Sequence, residues 1–273
     1  MTGRTPGPLV GGYLLVTFAW SWSLWWTAAA FPGLPAELAL PLFLTGGLGP
    51  LIGAVWVVRR RGRGYRRELV RRVGDPRRIP ARWWLTLVGL AVGPAVLGAG
   101  FAGMAGADVR IPEYRVGPVV AVLVFALAAG VVEEPGWRGA AADAWQGRAR
   151  PIWAALGIGG CWALWHLPLY FVEGTYQHGL GFGSLRFWLT NLVLVQLGVL
   201  YVWLTNGAGG SILIVVLAHA GFNAAGELVP RSTLGDLVAA GVLAVATAVV
   251  LAVTRGELAF AGADPAAGSP SGR

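Results

Sequence analysis

Long apolar runs, separated by short segments rich in polar residues, glycine and proline, dominate the sequence. A helix needs about 20 mostly apolar residues to cross the hydrocarbon core of a bilayer, and on this criterion the pattern predicts about eight membrane helices. The predicted helices are Leu9–Phe31, Leu38–Val58, Trp83–Ala105, Pro118–Glu134 with its continuation, Ile152–Val172, Phe187–Thr205, Gly210–Leu228 and Leu234–Val253. We therefore expect an all-α, polytopic integral membrane protein.

The composition agrees with this fold class. Hydrophobic residues make up 56% of the 273 residues and charged residues 12%, whereas ordinary soluble domains contain roughly 25% charged residues. So few charges would not solvate the surface of a soluble fold of this length. We expect one membrane domain over residues 1–261, followed by a disordered tail at 262–273 that is rich in Gly, Pro, Ala and Ser.

Arginine accounts for all 21 basic residues, and the net charge is +8. Sixteen arginines fall on one side of the predicted helices and four on the other, with Arg138 set apart inside a helix. By the positive-inside rule both termini are predicted to be cytoplasmic, and this distribution indicates membrane topology rather than nucleic-acid binding. The loop Arg59–Arg82 is the most basic segment. Its part Tyr65–Val73 is either an amphipathic helix on an anionic membrane surface or a cytoplasmic anchor that fixes orientation.

Ionisable residues end the fourth predicted helix, after the uncharged run Gly117–Val132. Such residues inside a membrane segment are costly, and by default they indicate a functional site. Glu134 and Arg138 are four positions apart, so they lie on one helix face and are predicted to pair. Glu133 lies about 100° away around the axis. We expect it to face a cavity instead.

Three further polar residues lie in predicted membrane helices: His166 in the fifth, and His219 and Asn223 in the seventh. The last two are four positions apart and share a helix face. Pro135 and Pro168 each remove a backbone donor beside these motifs, which a bilayer tolerates where protein or water satisfies the freed carbonyl. A packed histidine or an asparagine that joins helices remains an alternative for each residue alone. Together they predict an active-site cavity between helices four, five and seven.

Glu133 near imidazoles in a low-dielectric cavity is suited to act as a general base. Cys161 precedes His166 by five positions, about 140° around a helix, which argues against a Cys–His pair. The sequence has no G-x-S-x-G elbow and no H-E-x-x-H pattern. Glu133, His166 and His219 still form a zinc-like ligand set, so the cofactor is either none or a divalent metal such as zinc. Water activation by a carboxylate, with other polar groups stabilising an oxyanion, is the favoured chemistry.

The residues resemble those of a known family. Glu133-Glu134-x-x-x-Arg138, the aromatic-x-x-x-His segment Trp162 to His166, and His219-x-x-x-Asn223 are similar to the three motifs of the CPBP intramembrane proteases. This group, also called Abi or CAAX proteases, includes the Rce1-type prenyl-protein endopeptidases. The resemblance covers about residues 118–228. The chain has Trp162 where the family usually has phenylalanine, and Pro135-Gly136 where apolar residues are more usual.

The resemblance implies a role for each polar residue that lines the predicted cavity. Glu133, together with His166, would activate the attacking water. His219 and Asn223 would stabilise the oxyanion of the tetrahedral intermediate. A metal-free glutamate mechanism and a metalloprotease mechanism both remain open for the family.

The resemblance also implies that Glu134 and Arg138 hold the site in shape. The expected substrate is a membrane-associated peptide or protein, and the bilayer is the other partner. Arginine without lysine is typical of a GC-rich coding sequence, so we expect a bacterial protein of the plasma membrane. Such a protein is not expected to act on the prenylated CAAX proteins that eukaryotic relatives cleave. We expect the cavity to open to the cytoplasm.

Two other functions fit the same residues. The first is a non-catalytic scaffold or bacteriocin-immunity-type protein that binds a partner through the cavity. The second is a proton-coupled transporter that uses Glu133 and His166 as a relay.

Overall fold

A computed structural model describes residues 7–107, 115–146 and 149–259. The predicted tail, 262–273, lies outside these residues. The described residues form α-helices without any strand, in the order α1 (Gly7–Ala30), α2 (Ala36–Gly47), α3 (Gly49–Arg61), α4 (Arg63–Gly74), α5 (Ala81–Met104), α6 (Val116–Glu134), α7 (Ala142–Gln146), α8 (Pro151–Trp165), α9 (Tyr176–Leu180), α10 (Leu185–Gly207), α11 (Leu213–Leu228) and α12 (Thr233–Thr254). Three shorter pieces join them: the 3₁₀ turns Pro76–Arg78 and Leu167–Phe171 and the π-helical segment Pro135–Ala141.

Six helical segments in the described residues are long and apolar enough to cross a membrane. They are Ala36–Arg61, Ala81–Met104, Val116–Gln146, Pro151–Phe171, Leu185–Gly207 and Thr233–Thr254. α11 is a shorter apolar helix of 16 residues. α1 has 24 residues with no Asp, Glu, Lys or Arg. The predicted all-α polytopic membrane fold is confirmed, and its count of about eight helices is roughly consistent with these elements.

The predicted membrane helices that carry the first two polar motifs are interrupted at those motifs. The fourth continues beyond Glu134 as the π-helical segment Pro135–Ala141, because Pro135 has no N–H to donate to the preceding turn. The fifth ends at Trp165, and Leu167–Phe171 continues as a 3₁₀ turn that contains Pro168. π-Helical insertions are frequent at functional sites. Irregular backbone thus follows Glu134 in the first motif and His166 in the second.

Glycine allows α6 and α11 to approach closely. A Cβ atom at Gly130 would lie 2.6 Å from the carbonyl oxygen of Val216, a distance that no real side chain adopts. Small residues at such contacts let membrane helices pack through their backbones. The contact lies one turn before Glu133 and Glu134 and one turn before His219, so it sets the approach of the first motif to the third.

α4 contains the predicted amphipathic segment Tyr65–Val73 and packs against the end of the helix bundle. Leu69 is buried, Tyr65 Oη donates to Asp143 Oδ2 at 2.9 Å, and Arg72 Nη1 donates to the same oxygen at 2.7 Å. Arg72 Nε also donates to the carbonyl of Gly210 at 2.6 Å. Burial and the nearby Asp143 carboxylate raise the pKa of Tyr65 above its usual range, so the phenol remains a donor. α4 therefore covers one end of the bundle.

The arginines divide between the two ends of the fold. Arg72 of α4 contacts the segment before α11, and its bond to Asp143 places α7 at the same end. Arg150 precedes α8, four residues after α7, and donates to the carbonyl of Arg255 at 2.9 Å, so both lie at the end covered by α4. We call this the arginine-rich end. Arg186 and Arg231 lie at the opposite end, at the starts of α10 and α12.

Candidate active site

A cavity of about 770 Å³ lies between α6, α8 and α11, with further walls from α2, α5, α10 and α12. Four of the six predicted site residues line it: Glu133, His166, His219 and Asn223. The other two, Glu134 and Arg138, are fully buried. The structure thus brings the three motifs together around one cavity.

Glu134 and Arg138 form the predicted ion pair. Arg138 Nη1 donates to Glu134 Oε1 at 3.0 Å, and neither side chain is exposed. His219 Nδ1 lies 2.7 Å from the same carboxylate oxygen. Because an ionised carboxylate only accepts hydrogen bonds, Nδ1 of His219 carries the hydrogen and Nε2 is the nitrogen left to act in the cavity. Glu134 therefore orients His219 as well as pairing with Arg138.

Aromatic rings hold the guanidinium of Arg138. Its Cζ lies 4.4 Å from the ring centroid of Trp162 in α8 and 4.9 Å from that of Tyr201 in α10. Cation–π contacts of this kind are stronger when the cation is desolvated. Arg138 thus ties the end of α6 to two neighbouring helices.

Trp162 is the hydrogen-bond partner of Glu133. Its indole Nε1 donates to Glu133 Oε2 at 2.7 Å, and both side chains are buried. The expectation that Glu133 turns away from Glu134 and faces a cavity agrees with this position. In the motif that the sequence resembles, phenylalanine is usual at this position, and phenylalanine has no N–H to donate.

His166 is held by the backbone of the same helix. Its Nδ1 lies 2.8 Å from the carbonyl oxygen of Trp162. The helix ends here: the backbone N–H of His166 donates to Ala163 at 3.2 Å, one residue short of the α-helical partner, Trp162. Because a carbonyl only accepts, Nδ1 carries the hydrogen, and Nε2 of the neutral ring is an acceptor. His166 is therefore suited to hold a water molecule or to accept a proton.

Tyr201 is a cavity residue that sequence reasoning missed. Its ring centroid lies 6.3 Å from those of Trp162 and His219. A tyrosine in an apolar membrane helix gives no signal for a catalytic site, because tyrosine is common near the membrane–water interface. Its relation to the motifs depends on how α10 packs against α8.

The zinc-like ligand set left open by the sequence is not assembled here. Within the described residues, no three His, Cys, Asp or Glu side chains are grouped so as to hold a metal ion. In this arrangement the described residues therefore provide no three-ligand metal site.

The cavity extends from Glu133 away from the arginine-rich end. Its outer lining includes Tyr176, Arg186, Arg231 and Asp236, which lie at the opposite end of the fold. Two expectations from the sequence therefore conflict: a cytoplasmic arginine-rich end and a cavity open to the cytoplasm. In this fold they are on opposite sides.

A helical membrane protein with two adjacent glutamates, two histidines and an asparagine around a buried cavity has the features of an intramembrane hydrolase. Residues 115–225 match the family model described as type II CAAX prenyl endopeptidase Rce1-like. The chain is also 26% identical over 249 residues to CAAX prenyl protease 2 of Methanococcus maripaludis, an alignment that covers 88% of this chain and 92% of that protein. The chain is similar to the Rce1-like family, and it is a membrane endopeptidase. These matches support hydrolysis and lend no support to the scaffold or transporter alternatives.

Proposed function

We propose that Glu133 is the general base with which this endopeptidase activates water to hydrolyse a peptide bond. The observation that carries the proposal is the position of Glu133, which lines the cavity shared by His166, His219 and Asn223 and is fixed there by Trp162. A general base must lie within hydrogen-bond reach of the proton that it removes. In this proposal the attacking water lies in the cavity between Glu133 and Nε2 of His166, both of which line it.

The reaction follows from these positions. Glu133 accepts a proton from water as the water oxygen bonds to the carbonyl carbon of the substrate. The carbonyl oxygen becomes an oxyanion, which the amide N–H of Asn223 and the protonated Nε2 of His219 stabilise. Glu133 then returns the proton to the leaving amine as the C–N bond breaks.

Glu134 and Arg138 support this chemistry without touching the substrate. The Glu134 carboxylate accepts from Nδ1 of His219, so it stabilises the imidazolium form that donates to the oxyanion. Partners of this kind fix the tautomer and the orientation of a catalytic histidine. Arg138 pairs with the Glu134 carboxylate, so neither charge is buried without a partner.

The substrate is proposed to be a membrane-associated peptide or protein. The name of the archaeal relative refers to prenylated substrates of that protein. In this chain the cavity walls are largely apolar and include Phe43, Phe125, Leu197 and Phe222, which suits a hydrophobic or lipid-bearing segment. The polar atoms needed for hydrolysis are confined to its inner end.

We further propose that the protein lies in a bacterial plasma membrane with both termini and the arginine-rich end in the cytoplasm. The support is the excess of arginine at that end, which follows the positive-inside rule.

Comparison of the membrane peptides from cells that express the wild-type protein or Glu133→Gln tests the proposed function. Substrates should accumulate uncleaved in the variant strain, and their cleavage products should appear only with the wild type. Identical peptide profiles at equal expression would contradict the proposal. A substrate identified in this way serves as the reporter for the kinetic tests below.

A further inference from the structure

The cavity occupies only the half of the fold that is remote from the arginine-rich end. α6 and α12 both run from the arginine-poor end, and the cavity is lined by Ala121 to Glu133 of α6 and by Gly235 to Leu243 of α12. On α5, which runs in the opposite direction, the lining residues are in the second half, from Pro94 to Ala99. Three helices thus place the cavity in the same half.

Packed protein separates the site from the arginine-rich end. All seven residues of the π-helical segment Pro135–Ala141 are buried. Leu69 of α4 lies against this segment at Gly139, and the backbone N–H of Ile212 donates to the carbonyl of Arg72 at 2.8 Å. The fully buried pair Glu134–Arg138 lies directly behind the site. A peptide cannot approach Glu133 through these contacts without unfolding them.

Charged and polar side chains surround the cavity at the arginine-poor end. Asp236 pairs with Arg231 at 3.0 Å and with Arg186 at 3.3 Å, and the guanidinium of Arg231 lies 5.2 Å from the ring centroid of Tyr176. Arg186 and Tyr176 are about two-fifths exposed. Such residues are suited to an aqueous boundary, because their charges keep contact with solvent. We call these four residues the polar rim.

We infer that the substrate reaches Glu133 from the extracytoplasmic face of the membrane, through the polar rim. The inference rests on the proposed function and on the proposed cytoplasmic position of the arginine-rich end. It assigns a substrate class: membrane-anchored or exported peptides whose scissile bond lies on the extracytoplasmic side. Their apolar parts would lie along the cavity walls, and their polar parts would cross the rim.

Cysteine accessibility tests this inference, since the chain has one native cysteine, Cys161. In a Cys161→Ala background, Ala129→Cys places a thiol in the cavity wall one turn before Glu133, and Val70→Cys places one on the exposed side of α4. The probe is a negatively charged, membrane-impermeant thiosulfonate. It is applied to right-side-out spheroplasts and to inverted membrane vesicles.

The expected result is that Ala129→Cys is labelled in spheroplasts and not in inverted vesicles, with the opposite pattern for Val70→Cys. Labelling of Ala129→Cys only in inverted vesicles would overturn the inference, as would labelling of both positions from one side. Labelling of neither thiol from either side would overturn it too, provided that both react after detergent solubilisation. Thiol labelling is measured without substrate, so its result does not depend on the catalytic role of Glu133. The labelling can contradict extracytoplasmic access while Glu133→Gln still abolishes cleavage, and Glu133→Gln can remain active while the labelling supports that access.

Discussion

The indole N–H of Trp162 donates a 2.7 Å hydrogen bond to Oε2 of Glu133, so a tryptophan on α8 fixes the orientation of the carboxylate on α6. The same tryptophan contacts the guanidinium of Arg138 through its ring and accepts from His166 through its backbone carbonyl. One residue thereby connects three residues of the candidate site. Substitution by phenylalanine removes the N–H and keeps a smaller aromatic ring.

Trp162→Phe should keep an aromatic ring beside Arg138 and lower kcat, because it removes the N–H that donates to Glu133. Hydrogen bonds to charged groups contribute about 1.5–3 kcal/mol, which corresponds to a decrease of roughly tenfold to hundredfold in rate. KM should change little if the carboxylate acts on water rather than on substrate binding. The measurement is steady-state cleavage of the reporter substrate by the purified variant.

Trp137→Phe is the matched control for this substitution. Trp137 is fully buried and does not line the cavity, and no acceptor in the described residues lies within hydrogen-bond reach of its indole N–H. Its variant should retain kcat. Equal effects of the two substitutions on kcat would show that loss of a buried indole, rather than loss of the bond to Glu133, is responsible.

Glu134→Ala should destabilise the fold much more than Glu133→Gln. Removing one partner of a buried ion pair leaves the other charge uncompensated, at a cost of about 3–5 kcal/mol. Glutamine at position 133 keeps an oxygen that accepts from Trp162, so its effect on stability should be small. Thermal unfolding in detergent measures both variants. Equal stability of Glu134→Ala and the wild type would mean that Arg138 finds another partner.

Gly130→Ala should lower both stability and activity. The new methyl group would meet the carbonyl of Val216, and forcing extra volume into a packed contact costs about 1–3 kcal/mol. Separation of α6 from α11 would also lengthen the contact between Glu134 and His219. Unfolding temperature and reporter cleavage are the two readouts.

Gly117→Ala provides the comparison on the same helix, because nothing lies within 4 Å of a Cβ at that position. It should leave both readouts unchanged or slightly increase stability, since alanine favours helix over glycine. A similar loss of stability and activity in the two variants would contradict this account. It would show that any added methyl group on α6, rather than the contact with α11, causes the loss.

Much of the architecture was predictable because it depends on local pattern. Apolar runs of sufficient length gave the membrane helices, and helical spacing gave the pair Glu134–Arg138 and the common face of His219 and Asn223. The bond between His219 and Glu134 was not predictable. It joins residues 85 positions apart and depends on the approach of α11 to α6 at Gly130.

The position of α4 and the direction of the cavity had no clear signal in the sequence. An amphipathic helix was one of two interpretations of the Arg-rich segment Tyr65–Val73. The position of α4 over the end of the bundle depends on Asp143 and Gly210, which are remote in sequence. The direction in which the cavity opens, away from the arginine-rich end, follows from packing and had no signal in the sequence. Trp162 did carry a usable signal, since tryptophan is the aromatic residue that can donate from a buried ring to a neighbouring carboxylate.

The central claim is that Glu133 activates the attacking water, and the most direct test is cleavage of the reporter substrate by purified Glu133→Gln in proteoliposomes. Glutamine has nearly the same volume and retains the contact with Trp162, but it cannot accept the proton. We predict a decrease in kcat of at least about 10²-fold to 10⁴-fold, the usual contribution of general base catalysis, with an unchanged unfolding temperature. Wild-type kcat in the folded variant would contradict the assignment of Glu133 as the base.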